Sequence, residues 1–142
     1  MNILSLSESE LQFGYKDIVL YYENEIKKDK TGFNKKNLKK FLDSTSIVLK
    51  AKVTPSSTFQ NKKISFLHYT SPNGTSEIVS IFKHLRNCYA HGNVEKREIH
   101  KKLYLCFKDV KISSNTEQTT MIGQIARNKF EDFVKELKKA RQ

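Results

Sequence analysis

Three polar side chains near the end of one amphipathic segment are the strongest candidates for chemistry in this sequence. Arg86, Asn87 and His91 fall within the six-residue run RNCYAH, residues 86–91. Histidine exchanges a proton near neutral pH, and arginine offers a permanent charge with paired donors to a phosphate. An amide such as that of Asn87 can orient either group. Cleavage of RNA without a metal needs these parts, because the 2′-hydroxyl is already the nucleophile.

The spacing around this run predicts a helix that ends at His91, after a turn at residues 71–74 and an N-cap at Thr75 or Ser76. Its apolar face, which we expect in the core, consists of Ile78, Ile81, Phe82, Leu85 and Tyr89. The opposite face carries Ser80, His84, Asn87 and His91. On an ideal helix Arg86 is displaced by about 100° from Asn87 and about 140° from His91. Its long side chain can still reach around the helix, particularly if the last turn loosens.

A structural interpretation of the same residues is also open. In that interpretation His91 caps the helix and His84 is a surface residue, as in many helices without catalytic function. His68 and His100 have no second ligand at helical metal spacing and are interpreted as structural. The sequence has no glycine-rich phosphate loop, no His-Glu-x-x-His pair and no Cys-x-x-Cys. It therefore predicts neither a metal nor a cofactor.

The remaining elements are predicted to be mainly helical. A first helix begins near Ser7 and ends at Thr31, and a second begins after Asn34 and ends at residues 54–57. The buried stripe of the second helix is predicted to be Leu38, Phe41, Leu42, Thr45, Val48 and Leu49. Alternation in residues 103–108 and 119–125 predicts a β-hairpin around a turn at 113–116, and a last helix follows from residue 126. Residues 59–69 are too irregular to assign. We expect one domain, 1–142, of mainly α class: a helical bundle with a short β-hairpin before the C-terminal helix.

The charge indicates a polyanionic partner. The chain carries 26 Lys plus Arg against 15 Asp plus Glu, a net charge of +11, and residues 27–52 hold nine Lys and two Asp. Such a balance favours nucleic acid over an anionic membrane. The candidate RNA contacts are His84, Lys35, Lys36, Lys39 and Lys40, with a merely solvated helix face as the alternative for the lysines.

The location predicted for the protein is the cytoplasm. The longest apolar run, residues 18–22, is far shorter than the roughly 20 residues that span a membrane. The N-terminus lacks the basic start and apolar stretch of a secretion signal. Two cysteines, Cys88 and Cys106, are too few for a disulfide framework or a four-cysteine zinc site. These features indicate a reducing compartment and no membrane partner.

The run RNCYAH resembles the R-N-x-x-x-H signature of the HEPN superfamily, and the following Gly92-Asn93 strengthens the likeness. The chain also resembles single-domain bacterial members that carry a short β-hairpin between the motif helix and a final helix. The resemblance implies a HEPN-like helical bundle and a metal-independent endoribonuclease whose active site forms across a homodimer. Its products would be a 2′,3′-cyclic phosphate and a 5′-hydroxyl. Arg86 would bind the phosphate and stabilise the transition state, His91 would act as acid, base or phosphate contact, and Asn87 would position the pair.

The resemblance also suggests partners. Such proteins act in toxin–antitoxin modules, phage defence and RNA processing, which implies RNA and a cognate antitoxin protein as candidate partners. In the branch paired with a nucleotidyltransferase antitoxin, a tyrosine two residues after the histidine is modified. Asn93 occupies that position here, which weakens that particular pairing. Because some HEPN domains bind nucleotides or proteins without cutting RNA, the alternative is a non-catalytic helical binding module.

Overall fold

The computed structural model describes residues 3–4, 18–19, 22–23, 40, 42–73 and 76–140, with only the backbone described for residues 3–4 and 137–140. Within these ranges the fold is mixed α/β, with helices packed on a six-stranded sheet. In chain order the elements are β1 (Ile3–Leu4), β2 (Val48–Lys50), β3 (Phe66–Tyr69), α1 (Glu77–Ala90), β4 (Val94–Ile99), β5 (Lys102–Ser113), β6 (Thr116–Ala126) and α2 (Arg127–Ala140). None of the helices in this part of the chain is long and apolar enough to cross a membrane.

The centre of the sheet is the long hairpin formed by β5 and β6. The strand order is β1-β4-β5-β6-β3-β2, and each neighbouring pair is antiparallel except β2 and β3, which are parallel. Ser114 and Asn115 form the two-residue turn and both have positive φ (49° and 63°), as the turns that match the twist of a hairpin require. The register shifts between Asp109 and Val110, which pair with Met121 and Thr119, so the extra residue of this bulge is Thr120 of β6. The bulge becomes important below because Asp109 belongs to the candidate site.

The main core lies between one face of this sheet and the two helices α1 and α2. Alternate residues of β5 separate the faces: Leu105 and Phe107 belong to the main core, and Tyr104 and Cys106 to a smaller cluster on the other face. Aromatic rings connect the layers: the ring centroid of Phe107 in β5 lies 6.1 Å from that of Tyr89 in α1 and 5.6 Å from that of Phe130 in α2. This packing fixes α1 against β5, which is the contact that builds the site.

The predicted mainly α fold, a HEPN-like helical bundle with an inserted hairpin, is wrong for the part of the chain that the structure describes. The predicted hairpin is present before the last helix, α2, but its strands are longer than expected and form the middle of a sheet. The strand β4 was missed because four of its six residues, 95–98, are charged, and this hides any apolar alternation. The strand β3 lies in the stretch that the sequence left unassigned.

The second predicted helix also needs correction. Residues 42–44 are helical, but β2 begins at Val48, so the helix does not extend to residue 54. Ser46 has a positive φ of 62°, which interrupts a right-handed helix, and the β-branched Ile47 and Val48 follow it. Val48, expected in the buried stripe, is 50% exposed. The first predicted helix and the start of the second lie outside the described residues, apart from residues 18–19, 22–23 and 40.

Candidate functional site

The helix α1 places the motif residues close to where the sequence predicts them. Ser76 is its N-cap, and the helix ends at Ala90 with His91 as the C-cap. Gly92 then adopts φ +69°, the left-handed conformation that commonly ends a helix. The predicted apolar face is confirmed, since Ile78, Ile81, Phe82, Leu85 and Tyr89 are all buried.

The polar face of α1 is partly buried as well, because it packs against the ends of β3 and the middle of β5. Ser80 and His84 are only 2% and 8% exposed. Asn87 is half-buried and His91 is exposed. A polar side chain removed from water needs a hydrogen-bond partner, and β5 and the residue directly after β3 supply the partners of His84.

His84 is held at both ring nitrogens. Its Nδ1 lies 2.8 Å from Oδ2 of Asp109 in β5, and its Nε2 lies 2.8 Å from the carbonyl oxygen of Thr70. A carbonyl oxygen can only accept, so Nε2 donates to Thr70. When Asp109 is ionised its oxygen also accepts, and Nδ1 then donates. These two contacts leave no ring nitrogen of His84 for a substrate.

Asn87 connects this buried pair to Arg86. Its Nδ2 donates to Oδ2 of Asp109 at 3.2 Å, and its Oδ1 accepts from an Nη of Arg86 at 3.0 Å. The Nε of Arg86 in turn donates to Oε1 of Glu23 at 2.7 Å. The sequence therefore predicts correctly that Arg86 and Asn87 lie together. Their positions, however, are fixed by two acids distant in sequence: Asp109 binds Asn87, and Glu23 binds Arg86.

Asp109 is the centre of the network. It is 3% exposed, and burial by itself raises the pKa of its carboxyl. Hydrogen bonds from His84 and Asn87 and the charge of His84 outweigh burial, and the pKa lies below its ordinary value. The bulge at Thr120 of β6 shifts the register of the hairpin beside Asp109, and bulges are common next to functional sites. Asp109 is consequently a buried carboxylate at neutral pH.

Sequence reasoning missed Asp109 and Thr70. One signal for Asp109 was available: it is the only acid between residues 102 and 116, a stretch otherwise apolar, polar or basic. A lone acid in a half-buried strand needs a partner, and the partner proves to be a histidine 25 positions earlier. Thr70 gave no signal, because it contributes its backbone carbonyl.

The other predicted site residues lie apart from this network. Among the described residues no hydrogen bond joins the side chain of His91 to Arg86, and His91 stands at the exposed end of α1. Lys40 is exposed, whereas Lys35, Lys36 and Lys39 lie outside the described residues. The structure thus brings together Arg86, Asn87 and His84 through Asp109, whereas His91 lies outside this hydrogen-bond network at the exposed C-cap of α1.

A pocket of about 510 Å³ opens between α1 and the β5–β6 hairpin. Five residues of the helix line it: Val79, Ser80, Lys83, His84 and Asn87, and His91 follows from its C-cap. The hairpin contributes Asp109, Val110, Lys111, Gln118 and Thr120, and Thr70 and Pro72 complete the wall. Asn87 and His91 thereby face the same cavity, and the backbone N–H of His91 donates to the carbonyl oxygen of Asn87 at 3.0 Å.

Neither cysteine is suited to nucleophilic chemistry. Cys88 lies inside the motif but is fully buried, and burial raises the pKa of its thiol. Burial likewise raises the pKa of Cys106 to about 12. Both thiols are free of disulfide bonds and stay protonated at neutral pH.

Comparison with protein-family models, with characterised proteins and with solved structures finds no significant match for this chain. Within the described ranges, no group of three or more His, Cys, Asp or Glu side chains is arranged to hold a metal ion. The interpretation of the site therefore depends on its own geometry and on the motif.

Proposed function

We propose that the protein is a metal-independent endoribonuclease. The single observation that supports this best is the contact between Arg86 and Asn87, with Asn87 in turn held by the buried carboxylate of Asp109. This chain of contacts joins a permanent cation to Asn87, which lines the same cavity as His91. A cation and a proton-transfer group next to an open pocket are what cleavage by the 2′-hydroxyl requires.

In the proposed reaction the 2′-oxygen attacks the adjacent phosphorus and the bond to the 5′-oxygen of the next nucleotide breaks. A base takes the proton of the 2′-hydroxyl, and an acid gives a proton to the leaving 5′-oxygen. His91 serves as one of these, while Arg86 stabilises the charge that develops on the phosphate. The products are a 2′,3′-cyclic phosphate and a 5′-hydroxyl.

His84 and Asp109 act as positioning residues in this proposal. Because both nitrogens of His84 are engaged, its contribution is to hold Asp109, and Asp109 holds Asn87. The arrangement resembles catalytic constellations in which a carboxylate fixes the orientation of a neighbouring polar side chain. Substrate contact is left to Arg86 and His91.

The active site is proposed to form between two copies of the chain. No hydrogen bond joins Arg86 to His91 within one copy among the described residues, so His91 of a second copy is the proposed partner of Arg86. Light scattering should then give twice 16.5 kDa at micromolar concentration, and a strict monomer would exclude a shared site. Free, buried cysteines agree with a reducing cytoplasm as the location, where a toxin or phage-defence role and a cognate antitoxin are candidates.

The relation to HEPN ribonucleases is proposed from the motif and not from the fold. The second candidate function, a non-catalytic module that binds RNA, nucleotide or protein, is favoured by the ion pair between Arg86 and Glu23 at 2.7 Å. That pair occupies Nε of Arg86, so binding of a phosphate through this atom requires the pair to open. Activity in the presence of a chelator separates the two candidates.

The test is cleavage of single-stranded and structured RNA by the purified protein in EDTA. Arg86→Ala and His91→Ala should each lower the rate by roughly 10² to 10⁴-fold, because each removes a transition-state cation or a proton-transfer group. Matched controls are Arg127→Ala, which removes an exposed arginine of α2, and His100→Ala, which removes an exposed histidine in the β4–β5 turn. Circular dichroism and thermal melting should show that all four variants are folded.

Product ends provide a second readout, because the proposed route leaves 2′,3′-cyclic phosphates. If the Arg86 and His91 variants cut as fast as the controls, the site is wrong. If the wild type binds RNA but leaves every substrate intact, the binding module replaces the nuclease.

A further inference from the structure

The pocket between α1 and the hairpin has a cationic rim. Lys83 of α1 and Lys111 of β5 both line it, and both side chains are exposed. Among the residues that the structure describes, the side chain of neither lysine forms a hydrogen bond or an ion pair. His91 adds a third group at the same opening that carries positive charge when protonated. The mouth of the pocket therefore favours an anion.

The acid in this pocket does not cancel that preference. Asp109 is the only acidic residue in the described lining, and its Oδ2 accepts hydrogen bonds from His84 and Asn87. Its carboxylate is thus engaged by donors of the protein itself, at a buried position. The two lysines stand at the surface, where their field acts on an approaching ligand.

The rest of the wall combines apolar and hydrogen-bonding groups. Val79, Pro72 and Val110 provide apolar contact, whereas Gln118 and Thr120 provide polar side chains. The volume of about 510 Å³ lies within the range of about 300–1,000 Å³ that small-molecule sites occupy. A ligand that suits this pocket carries an anionic group, an apolar face and a polar edge.

We propose that the pocket binds one unpaired nucleotide of an RNA strand, with its phosphate at Lys83 and Lys111 and its base against the apolar wall near Gln118. Sequence-selective proteins commonly take RNA bases out of the strand in this way. This inference rests on the proposed nuclease function, because Asn87 and His91 belong to both the pocket and the cleavage site. A nucleotide bound there lies next to the phosphate that is cut.

The direct test is titration of the 142-residue chain with nucleoside 3′-monophosphates. Calorimetry or NMR measures the binding. The variant Lys83→Gln/Lys111→Gln should bind at least roughly tenfold more weakly, since charge-assisted phosphate contacts are lost. The control is Lys63→Gln/Lys135→Gln, which removes two exposed lysines outside the pocket and lowers the net charge by the same amount. The control should bind like the wild type.

Further ligands distinguish the nucleotide from its parts. Inorganic phosphate and uncharged nucleosides should each bind more weakly than the monophosphate, because each lacks half of the contacts. A short RNA with 2′-O-methyl groups, which cannot be cut by the proposed route, should displace the monophosphate. If it does not, the pocket serves free nucleotides and the assignment to RNA is wrong.

The outcomes separate this proposal from the nuclease itself. The pocket is overturned, and the nuclease is kept, if the wild type cuts RNA but binds no monophosphate. The same holds if it cuts RNA and both lysine double variants lose the same amount of monophosphate affinity. Lysine-dependent binding of the monophosphate and displacement by RNA, without cleavage under any condition, upholds the pocket and overturns the nuclease. Equal affinity for inorganic phosphate and monophosphate overturns the nucleotide assignment.

Discussion

Oδ2 of Asp109 lies 2.8 Å from Nδ1 of His84, and this contact joins the motif helix α1 to the central hairpin of the sheet. The same oxygen accepts a hydrogen bond from Asn87 one turn further along the helix. One buried carboxylate thus fixes two residues of α1, and it holds Arg86 indirectly through Asn87. Stability and the proposed chemistry consequently depend on the same group.

Asp109→Asn should lower the free energy of unfolding at pH 7 by roughly 1–3 kcal/mol, because a charged acceptor inside the network is lost. The pKa of Asp109 is depressed in the folded protein, so its contribution is complete above the ordinary value of 3.8 and is lost as pH falls through the folded pKa. The difference in stability between wild type and variant should therefore shrink on acidification. Urea unfolding at pH 7 and at pH 3 or below measures it.

Asp132→Asn is the matched control for this experiment, since Asp132 is an exposed acid on α2. Its stability should stay within about 0.5 kcal/mol of the wild type at pH 7. A gap between wild type and Asp109→Asn that stays constant down to acidic pH would show that the carboxylate is not ionised in the folded protein.

The ion pair between Arg86 and Glu23 predicts a variant that gains affinity for RNA. Both side chains are about a third exposed, at 34% and 28%, and the pair occupies an arginine that we propose binds phosphate. Glu23→Gln should therefore strengthen RNA binding by up to about fivefold, the range expected for releasing a surface ion pair. Fluorescence anisotropy with a 2′-O-methyl RNA measures the affinity.

Glu131→Gln opens the comparable pair between Glu131 and Arg127 on α2, and it changes the net charge by the same amount. The control should shift RNA affinity less than Glu23→Gln does. Equal shifts in the two variants would mean that overall charge, and not the release of Arg86, explains the gain.

The sequence predicts α1 and its faces well because every signal for them is local. The turn at 71–74, the three-and-four spacing of apolar residues and Gly92 all lie within one helix or its ends. The neighbourhood of Asn87 could not be predicted, because it depends on Asp109, which lies 22 positions away in a strand beside a bulge of β6. The burial of His84 has the same origin, since one partner, Asp109, lies in β5 and the other, Thr70, directly follows β3.

The sheet was underestimated for a different physical reason. The strand β4 pairs along its whole length with β5, but its central residues 95–98 are charged and only Val94 and Ile99 are buried. The strand β2 has three residues, and its parallel pairing with β3 is a long-range contact that no local pattern reveals. Strands of this kind are stabilised by neighbours, and their own side chains carry little of the signal.

The basic segment 27–52 provides a prediction about affinity. Neutralising Lys35, Lys36, Lys39 and Lys40 together to Gln should weaken RNA binding broadly and leave the cleavage position unchanged. Each lost phosphate contact should reduce the slope of log affinity against log salt by roughly 0.7 for single-stranded RNA. Affinities measured at several salt concentrations give the slope. An unchanged slope would show that these lysines do not contact RNA and only form a solvated face.

Gly123 of β6 provides a test of the sheet itself. It pairs with Leu67 of β3, and a Cβ built on it would overlap the carbonyl oxygen of Phe66 and approach the Leu67 side chain. Gly123→Ala should therefore destabilise the protein by about 1–3 kcal/mol, because backbone and buried side chain must move. Denaturant unfolding measures the loss.

Gly92→Ala is the comparison, since the space around Gly92 is open and only its φ of +69° opposes a side chain. That strain costs about 1 kcal/mol in a single residue. Gly123→Ala should thus lower the free energy of unfolding more than Gly92→Ala does. It should also weaken the pairing of β3 with β6, visible as reduced hydrogen-exchange protection at Leu67. If Gly92→Ala is the more damaging of the two, the close approach of β3 to β6 at Gly123 is wrong.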